Sequence, residues 1–123
     1  MSVNLKIDLS AKDLGMVFKD YEILALETLW QNPEHMFSSL EVTEAVNEKL
    51  AARGDSISRA SIINFLQDIA EQGILERDTT TGKGGHRGIY QSNYTKKELR
   101  KFIIRAVLKK LKADFPTETN TVV

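Results

Sequence analysis

Hydrophobic and polar positions follow two different periods at the start of the chain. From Val3 to Leu9 every second residue is apolar, which is the pattern of a half-buried strand. Further on, apolar residues recur at helical spacing, and Asp20 is the predicted N-cap of a first helix that ends before Pro33. The pattern therefore predicts an N-terminal strand, or an arm that pairs across a dimer, followed by a helix.

Capping signals delimit the second and third helices. The run from Ser38 to Glu41 is a capping box, in which the first and fourth side chains each accept a hydrogen bond from the other residue's backbone N–H. A second helix therefore begins there, and Gly54 can end it in the left-handed conformation. Ser58 can cap a third helix that stops at Gly73. Two helices joined by so short a turn form a helix-turn-helix.

A β-hairpin is predicted after the third helix. Residues Ile74 to Asp78 have the composition of a strand, and residues Ile89 to Tyr94 form the return strand. The segment between them, Thr79 to Gly88, contains four glycines and is predicted to be a long, mobile loop with a basic tip.

A second capping box, from Thr95 to Glu98, opens a last helix that is predicted to end near Ala113, before Pro116. Its apolar side chains span about 240° of the helical wheel, whereas a helix that docks on one surface needs only roughly 100°. We therefore expect this helix to have two apolar neighbours, its own domain and a second subunit. The predicted dimer-interface residues are Leu99, Phe102, Ile103, Ala106 and Val107.

Composition excludes several classes of protein. The 123 residues include no cysteine, so disulfides and thiolate metal sites are ruled out. No apolar run approaches the roughly 20 residues that cross a bilayer, and the N-terminus lacks a signal-peptide pattern, so we expect a cytoplasmic protein. His35 and His86 stand without an acid at catalytic or metal-binding spacing. We therefore expect no enzyme activity, no metal and no cofactor.

Charge is unevenly distributed although the formal net charge is zero. Residues 1–54 carry five basic and nine acidic side chains, whereas residues 55–112 carry twelve and six. Between Thr79 and Lys112 there are ten basic residues and one acid. Opposite signs in the two halves indicate a polyanionic partner or an electrostatic dimer, unless the lysine-rich helix face is merely solvated.

The order helix, helix, short turn, helix, hairpin is that of the winged helix-turn-helix. In this fold the third helix presents its outer face to the major groove of DNA, and the hairpin, or wing, contacts the flanking backbone. We therefore predict a mainly α protein with a small β-hairpin: a winged-helix DNA-binding domain over residues 1–94, with the N-terminal strand or arm, and a dimerisation helix with a short tail over residues 95–123.

The outward face of the third helix contains the candidate DNA-reading residues. Asn64 and Gln67 have amides that match the major-groove edge of adenine, and Ser61 lies beside them. Asp68 and Glu71 share this face and would be repelled by phosphates, so they must lie away from the backbone. The predicted phosphate contacts are Arg59 on the helix and Lys83, His86 and Arg87 at the wing tip.

Three segments resemble the penicillinase-repressor family of winged-helix regulators. The run from Ser58 to Arg77 resembles that family's recognition helix and first wing strand. The run from Tyr21 to Trp30 is similar to its first helix, and the run from Tyr90 to Lys112 to its second wing strand and dimerisation helix. The resemblance covers about residues 20–112 and implies a homodimeric repressor that binds palindromic operators on double-stranded DNA.

Two hypotheses of different classes follow from the sequence. The first is a dimeric winged-helix DNA-binding transcriptional regulator, a repressor of a palindromic operator. The second is a winged-helix module that docks other proteins and binds no DNA. They differ in whether the basic second half or the acidic first half is the working surface.

Overall fold

The computed structural model describes residues 5–82 and 85–123, and for residues 81, 82, 85 and 86 it describes the backbone only. The chain divides into two compact units, Met1–Asn93 and Tyr94–Val123. The elements are a 3-10 turn Asp13–Met16, α1 Asp20–Gln31, β1 Phe37–Ser38, α2 Ser39–Ala51, α3 Arg59–Glu71, β2 Leu75–Gly82, β3 Gly85–Ser92, α4 Lys96–Asp114 and α5 Pro116–Val122.

The core of the N-terminal unit lies between the apolar faces of its three α-helices. Each face arises from apolar residues three or four positions apart, which fall on one side of a helix. The side chains with the least exposure are Leu26 and Leu29 of α1, Val42 and Val46 of α2, and Ile62, Leu66 and Ile69 of α3. Burial of each such side chain contributes about 1.5 to 3 kcal/mol, so the core fixes how α3 packs against α1 and α2.

A three-stranded antiparallel sheet, in the order β1-β3-β2, closes the N-terminal unit. The ladder between β2 and β3 runs from the pair Leu75↔Ser92 to the pair Gly82↔Gly85. The predicted long loop over Thr79–Gly88 is therefore wrong, because Thr79 to Gly82 continue β2 and pair with residues 85–88 of β3. A run of three β-branched threonines favours this extension.

The succession α1, β1, α2, α3, β2, β3 is that of a winged helix, and it confirms the predicted fold class. The β2–β3 hairpin is the wing. β1 lies between α1 and α2 in the chain, and its Phe37 pairs with Tyr90 of β3. This pairing links the wing to the helices.

The predictions for the first twenty residues need correction. Residues 5–10 form no strand, and Leu9 is 85% exposed, while residues 1–4 lie outside the described residues. Alternating apolar residues form a strand only beside a partner edge, and none of the described strands pairs with residues 5–10. Asp20 is the first residue of α1, and its N-cap is Lys19, whose backbone N–H donates to Glu22 at 2.7 Å.

Both predicted capping boxes are confirmed. The backbone N–H of Glu41 donates to Ser38 Oγ at 3.1 Å and that of Ser38 to Glu41 Oε1 at 3.0 Å. Thr95 and Glu98 exchange the same two bonds at the start of α4.

The C-terminal unit contains a helix that was not predicted. Pro116, expected only to end the preceding helix, is the first residue of α5, where its missing N–H costs no hydrogen bond. The Thr119 hydroxyl donates to the Leu111 carbonyl of α4 at 3.0 Å. The chain therefore turns at Phe115 and continues as a second helix.

Candidate nucleic-acid interface

The turn of the helix-turn-helix is held by one side chain of α2. Asn47 accepts a hydrogen bond from the backbone N–H of Ile57 at 2.7 Å and donates its amide to the Ile57 carbonyl at 3.0 Å. The Asn47 side chain thus pairs with both the N–H and the carbonyl of Ile57, a residue outside the helices and strands whose backbone groups would otherwise lack these partners. Gly54 takes a φ of +71°, which lets the chain leave α2 and reach this clamp.

The start of α3 is fixed immediately after the clamp. Ser58 Oγ accepts from the backbone N–H of Ser61 at 3.1 Å, which confirms Ser58 as the N-cap. The Ser61 hydroxyl lies 2.9 Å from the Ser58 hydroxyl. Of the three residues predicted to contact bases, Ser61 is therefore the one whose side chain has a hydrogen-bond partner among the described residues. Arg59 is exposed, and its guanidinium donates to Ser39 Oγ at 3.3 and 3.4 Å, which holds it beside the start of α2.

Two amides stand free on the outer side of α3. Asn64 and Gln67 are exposed, and neither side chain makes a hydrogen bond with the described part of the chain. They are three residues apart, so they lie next to each other on one helix face. Their donors and acceptors are therefore available to a ligand that approaches this face.

Each acid of α3 follows one of these amides by one helical turn, Asp68 after Asn64 and Glu71 after Gln67. Asp68 borders a hollow that is also lined by Leu5, Lys6 and Glu22, on the side of the N-terminal segment. Glu71 is near the end of the helix and lines a different depression beside the wing. Asp68 thus faces away from the wing, whereas Glu71 shares its surroundings with a wing arginine.

Arg77, at the base of the wing, is a candidate residue that sequence reasoning missed. It pairs across the ladder with Tyr90, and its Nε donates to the Tyr90 hydroxyl at 3.3 Å while its guanidinium carbon lies 6.0 Å from the ring centroid. With Gln67, Ala70 and Glu71 it lines a shallow depression of about 410 Å³ between α3 and the wing. The buried tyrosine thus holds an exposed cation beside the outer face of α3.

A glycine makes room for this arrangement. A Cβ at Gly88 would lie 2.9 Å from the Tyr90 hydroxyl and 3.0 Å from Arg77 Nε. Gly88 is expected from the sequence to lie in a flexible loop. It lies in β3 instead, where the absence of a side chain leaves room for the Tyr90 hydroxyl and the Arg77 guanidinium. The sequence signal that identifies Arg77 is its alternate position between Leu75 and Thr79, because alternate residues of a strand lie on the same face of β2.

The predicted wing-tip residues are only partly described. Arg87 lies in β3 opposite Thr80, and its side chain is exposed. His86 lies opposite Thr81 in the same strand, but its side chain and all of Lys83 are outside the described residues. Arg87 is therefore carried by a strand rather than by a flexible loop.

His35 is not isolated, contrary to expectation. Its Nε2 lies 2.9 Å from Glu41 Oε2, and its ring stands edge-to-face on Phe37 with centroids 4.4 Å apart. The Ser38 backbone N–H, and after it His35, hold the pKa of Glu41 below its ordinary value. This carboxylate belongs to the cap of α2.

The described residues contain no group of three or more His, Asp or Glu side chains that could hold a metal ion. Among the helices of residues 5–82 and 85–123, none is long and apolar enough to span a membrane.

The predicted dimer-interface residues on α4 differ in exposure. Leu99 is 1% exposed and has no surface left to offer a second subunit. The other four, Phe102, Ile103, Ala106 and Val107, are half-buried. Larger apolar exposure occurs at Ile104, of which 57% is accessible, and at Phe115 after the helix, with 56%.

Comparison with known proteins finds similarity to solved structures. A possible transcriptional regulator from Methanosarcina mazei Go1 aligns with a TM-score of 0.57 and 16% sequence identity, over 85% of this chain and 79% of its own. At this identity the likeness shows a shared fold. No protein-family model matches the chain, and no curated protein matches it, so the resemblance to the penicillinase-repressor family stays a prediction.

Proposed function

We propose that the chain is a dimeric winged-helix DNA-binding transcriptional regulator that represses a palindromic operator. The observation that carries the proposal is the pair of free amides, Asn64 and Gln67, on the outer side of a helix whose start is fixed by Asn47 and Ser58. Asparagine and glutamine can bind adenine through two hydrogen bonds at its major-groove edge. A rigidly seated helix with two such amides is suited to read bases.

Phosphate contacts would come from three arginines around this face. Arg59 is held beside the start of α2, Arg77 beside the end of α3, and Arg87 farther along the wing. A guanidinium can bind two oxygens of one phosphate, which fixes the position of the protein on the duplex without reading its sequence. Lys83 and His86 are proposed to add to the same contact.

Support for a regulator also comes from the structural neighbour. The Methanosarcina mazei protein with the same fold carries the name of a possible transcriptional regulator. Homodimerisation is proposed through the apolar side of α4, with Phe102, Ile103, Ala106 and Val107 at the contact, because half-buried apolar residues there would be covered by a second copy.

A protein-docking module that binds no DNA is the second candidate. The observation in its favour is that Asp68 and Glu71 are exposed on the same helix as the two amides. Acids on this face would weaken phosphate binding, since like charges repel. The DNA-binding proposal therefore requires a duplex that contacts Asn64 and the wing without bringing a phosphate against Asp68 or Glu71.

Replacement of Asn64 tests the reading role directly. A preferred duplex is first selected from a random pool with the unaltered chain, and binding of Asn64→Ala is then measured on that duplex and on a scrambled one. We expect a loss of about 1 to 3 kcal/mol on the selected duplex and little change on the scrambled one. Asn120→Ala, which removes another exposed helical asparagine, is the control and should change neither.

The outcomes separate the roles of Asn64. Equal losses on both duplexes would assign it to the backbone and contradict base reading. Failure of the unaltered chain to enrich any duplex would contradict the proposed function as a whole.

A further inference from the structure

Helix α4 carries a basic stripe along one side, in which Glu98 and Leu108 are the residues without positive charge. Its members are Lys97, Lys101, Arg105, Lys109 and Lys112, all exposed. They recur every three or four residues, so at 100° per residue they occupy an arc of about 120° on one side of the helix. With a rise of 1.5 Å per residue, the stripe is about 22 Å long. It lies entirely within the C-terminal unit.

Within the described part of the chain, the stripe has little opposing charge. No stripe residue forms an ion pair there; the pair of Lys110 and Asp114, 2.7 Å apart, lies on α4 but off the stripe. The one acid inside the arc is Glu98, which accepts the backbone N–H of Thr95 at 3.0 Å; that bond first, and to a smaller extent the charge of Lys101, lowers its pKa. Five cations thus stand in a row, and the single acid among them also serves the helix cap.

We propose that this stripe is a second binding surface for the phosphate backbone of double-stranded DNA. The inference rests on the proposed function, and it adds a contact that neither α3 nor the wing supplies. Duplex DNA carries one negative charge per roughly 1.7 Å of its axis, so a 22 Å row of cations meets phosphates along its whole length. Four of the five cations are lysines, whose flexible stems let each ammonium find a phosphate without fixed geometry.

A linear polyanion fits the stripe better than a membrane surface does. A helix that lies on a membrane inserts its apolar face between the lipids. On α4 that face is partly covered, since Leu99 is buried and Phe102, Ile103 and Val107 are half-buried, and the proposed second copy would cover these residues further. The charged side is therefore the part of the helix that stays open to a ligand in the proposed dimer.

The test compares two charge-matched double variants of the full chain. Lys101→Gln with Lys109→Gln removes two charges from the stripe, and Lys96→Gln with Lys110→Gln removes two exposed charges from the same helix outside it. The association constant K for one random duplex is measured between 50 and 300 mM salt. The stripe variant should lower the slope of log K against log salt by about 1.8 for each bound subunit, or about 60-fold in affinity at 0.1 M salt. The control should change the slope by less than half as much.

Each outcome decides the proposal. Equal slopes for the unaltered chain and the stripe variant, both folded by circular dichroism, would overturn it and leave base reading by Asn64 standing. Equal effects of the two double variants would also overturn it, since the contribution would then be general charge. Vesicles of phosphatidylserine and phosphatidylcholine form the last arm: loss of vesicle binding with unchanged duplex binding would overturn it in favour of a membrane contact.

Discussion

Removal of the Asn47 side chain should loosen the turn that positions α3. Asn47→Ala deletes two hydrogen bonds, of 2.7 and 3.0 Å, and leaves both polar groups of half-buried Ile57 to find water. Two such bonds contribute about 1 to 3 kcal/mol together. Alanine is a better helix former than asparagine by up to about 0.7 kcal/mol, and residue 47 lies inside α2, so part of the loss is offset. The expected net loss is about 1 to 2 kcal/mol.

Urea unfolding followed by fluorescence measures this loss. The single tryptophan, Trp30, is half-buried in α1 and reports on the N-terminal unit. At a slope of about 2 kcal/mol per molar urea, in the middle of the range for small proteins, the midpoint should fall by about 0.5 to 1 M with the slope unchanged. Glu48→Ala, at the exposed neighbouring position, is the control and should stay within about 0.5 kcal/mol of the unaltered chain.

Asn47→Asp keeps one of the two hydrogen bonds of Asn47 and removes the other. The carboxylate still accepts from the Ile57 N–H, but it turns an acceptor toward the Ile57 carbonyl where the amide donated. We expect it to be at least as unstable as Asn47→Ala at pH 7. A free energy of unfolding for Asn47→Ala equal to that of Glu48→Ala would refute the clamp.

Further predictions concern the core, a cap, the dimer and the wing. Leu66→Ala should cost about 2 to 5 kcal/mol in the same unfolding experiment, because its side chain is fully buried; a smaller loss would contradict that burial. Glu41→Gln should be less stable at neutral pH, and the difference should close below about pH 4, because a carboxyl whose pKa is lowered by folding stabilises only while ionised; a difference independent of pH would contradict it. Ile103→Asp should turn a dimer into a monomer in light scattering, and a monomeric unaltered chain at micromolar concentration would refute the interface. Arg87→Ala should weaken binding to selected and random duplexes alike and lower the salt slope by about 1 per subunit; an unchanged slope would exclude a phosphate contact.

Apart from Asp20, which is the first residue of α1 rather than its N-cap, the predictions based on local hydrogen-bonding rules were confirmed. The capping boxes at Ser38 and Thr95 depend only on residues three positions apart, so the sequence determines them directly. The same is true of Gly54 and Gly73, which take left-handed φ values of +71° and +82° at the ends of α2 and α3. The periodicity of α3 likewise identified its buried side, because Ile62, Leu66 and Ile69 repeat at helical spacing.

Predictions that depend on distant partners were wrong or incomplete. The ladder from Thr79 to Gly82 is set by pairing with residues 85–88, which glycine content alone does not show. Residues 5–10 alternate as a strand does but lack a partner edge. Arg77 escaped notice because its position depends on Tyr90, thirteen residues later. Pro116 was interpreted as a stop, although proline fits the first position of a new helix equally well.

The salt dependence of duplex binding by the full chain tests the central claim most directly. If Arg59, Arg77 and Arg87 each contact a phosphate, log K should fall linearly with log salt, with a slope of about −3 or steeper for each bound subunit. Binding that ignores salt, or no binding to any duplex by a chain that is folded, would contradict DNA binding and favour the protein-docking module.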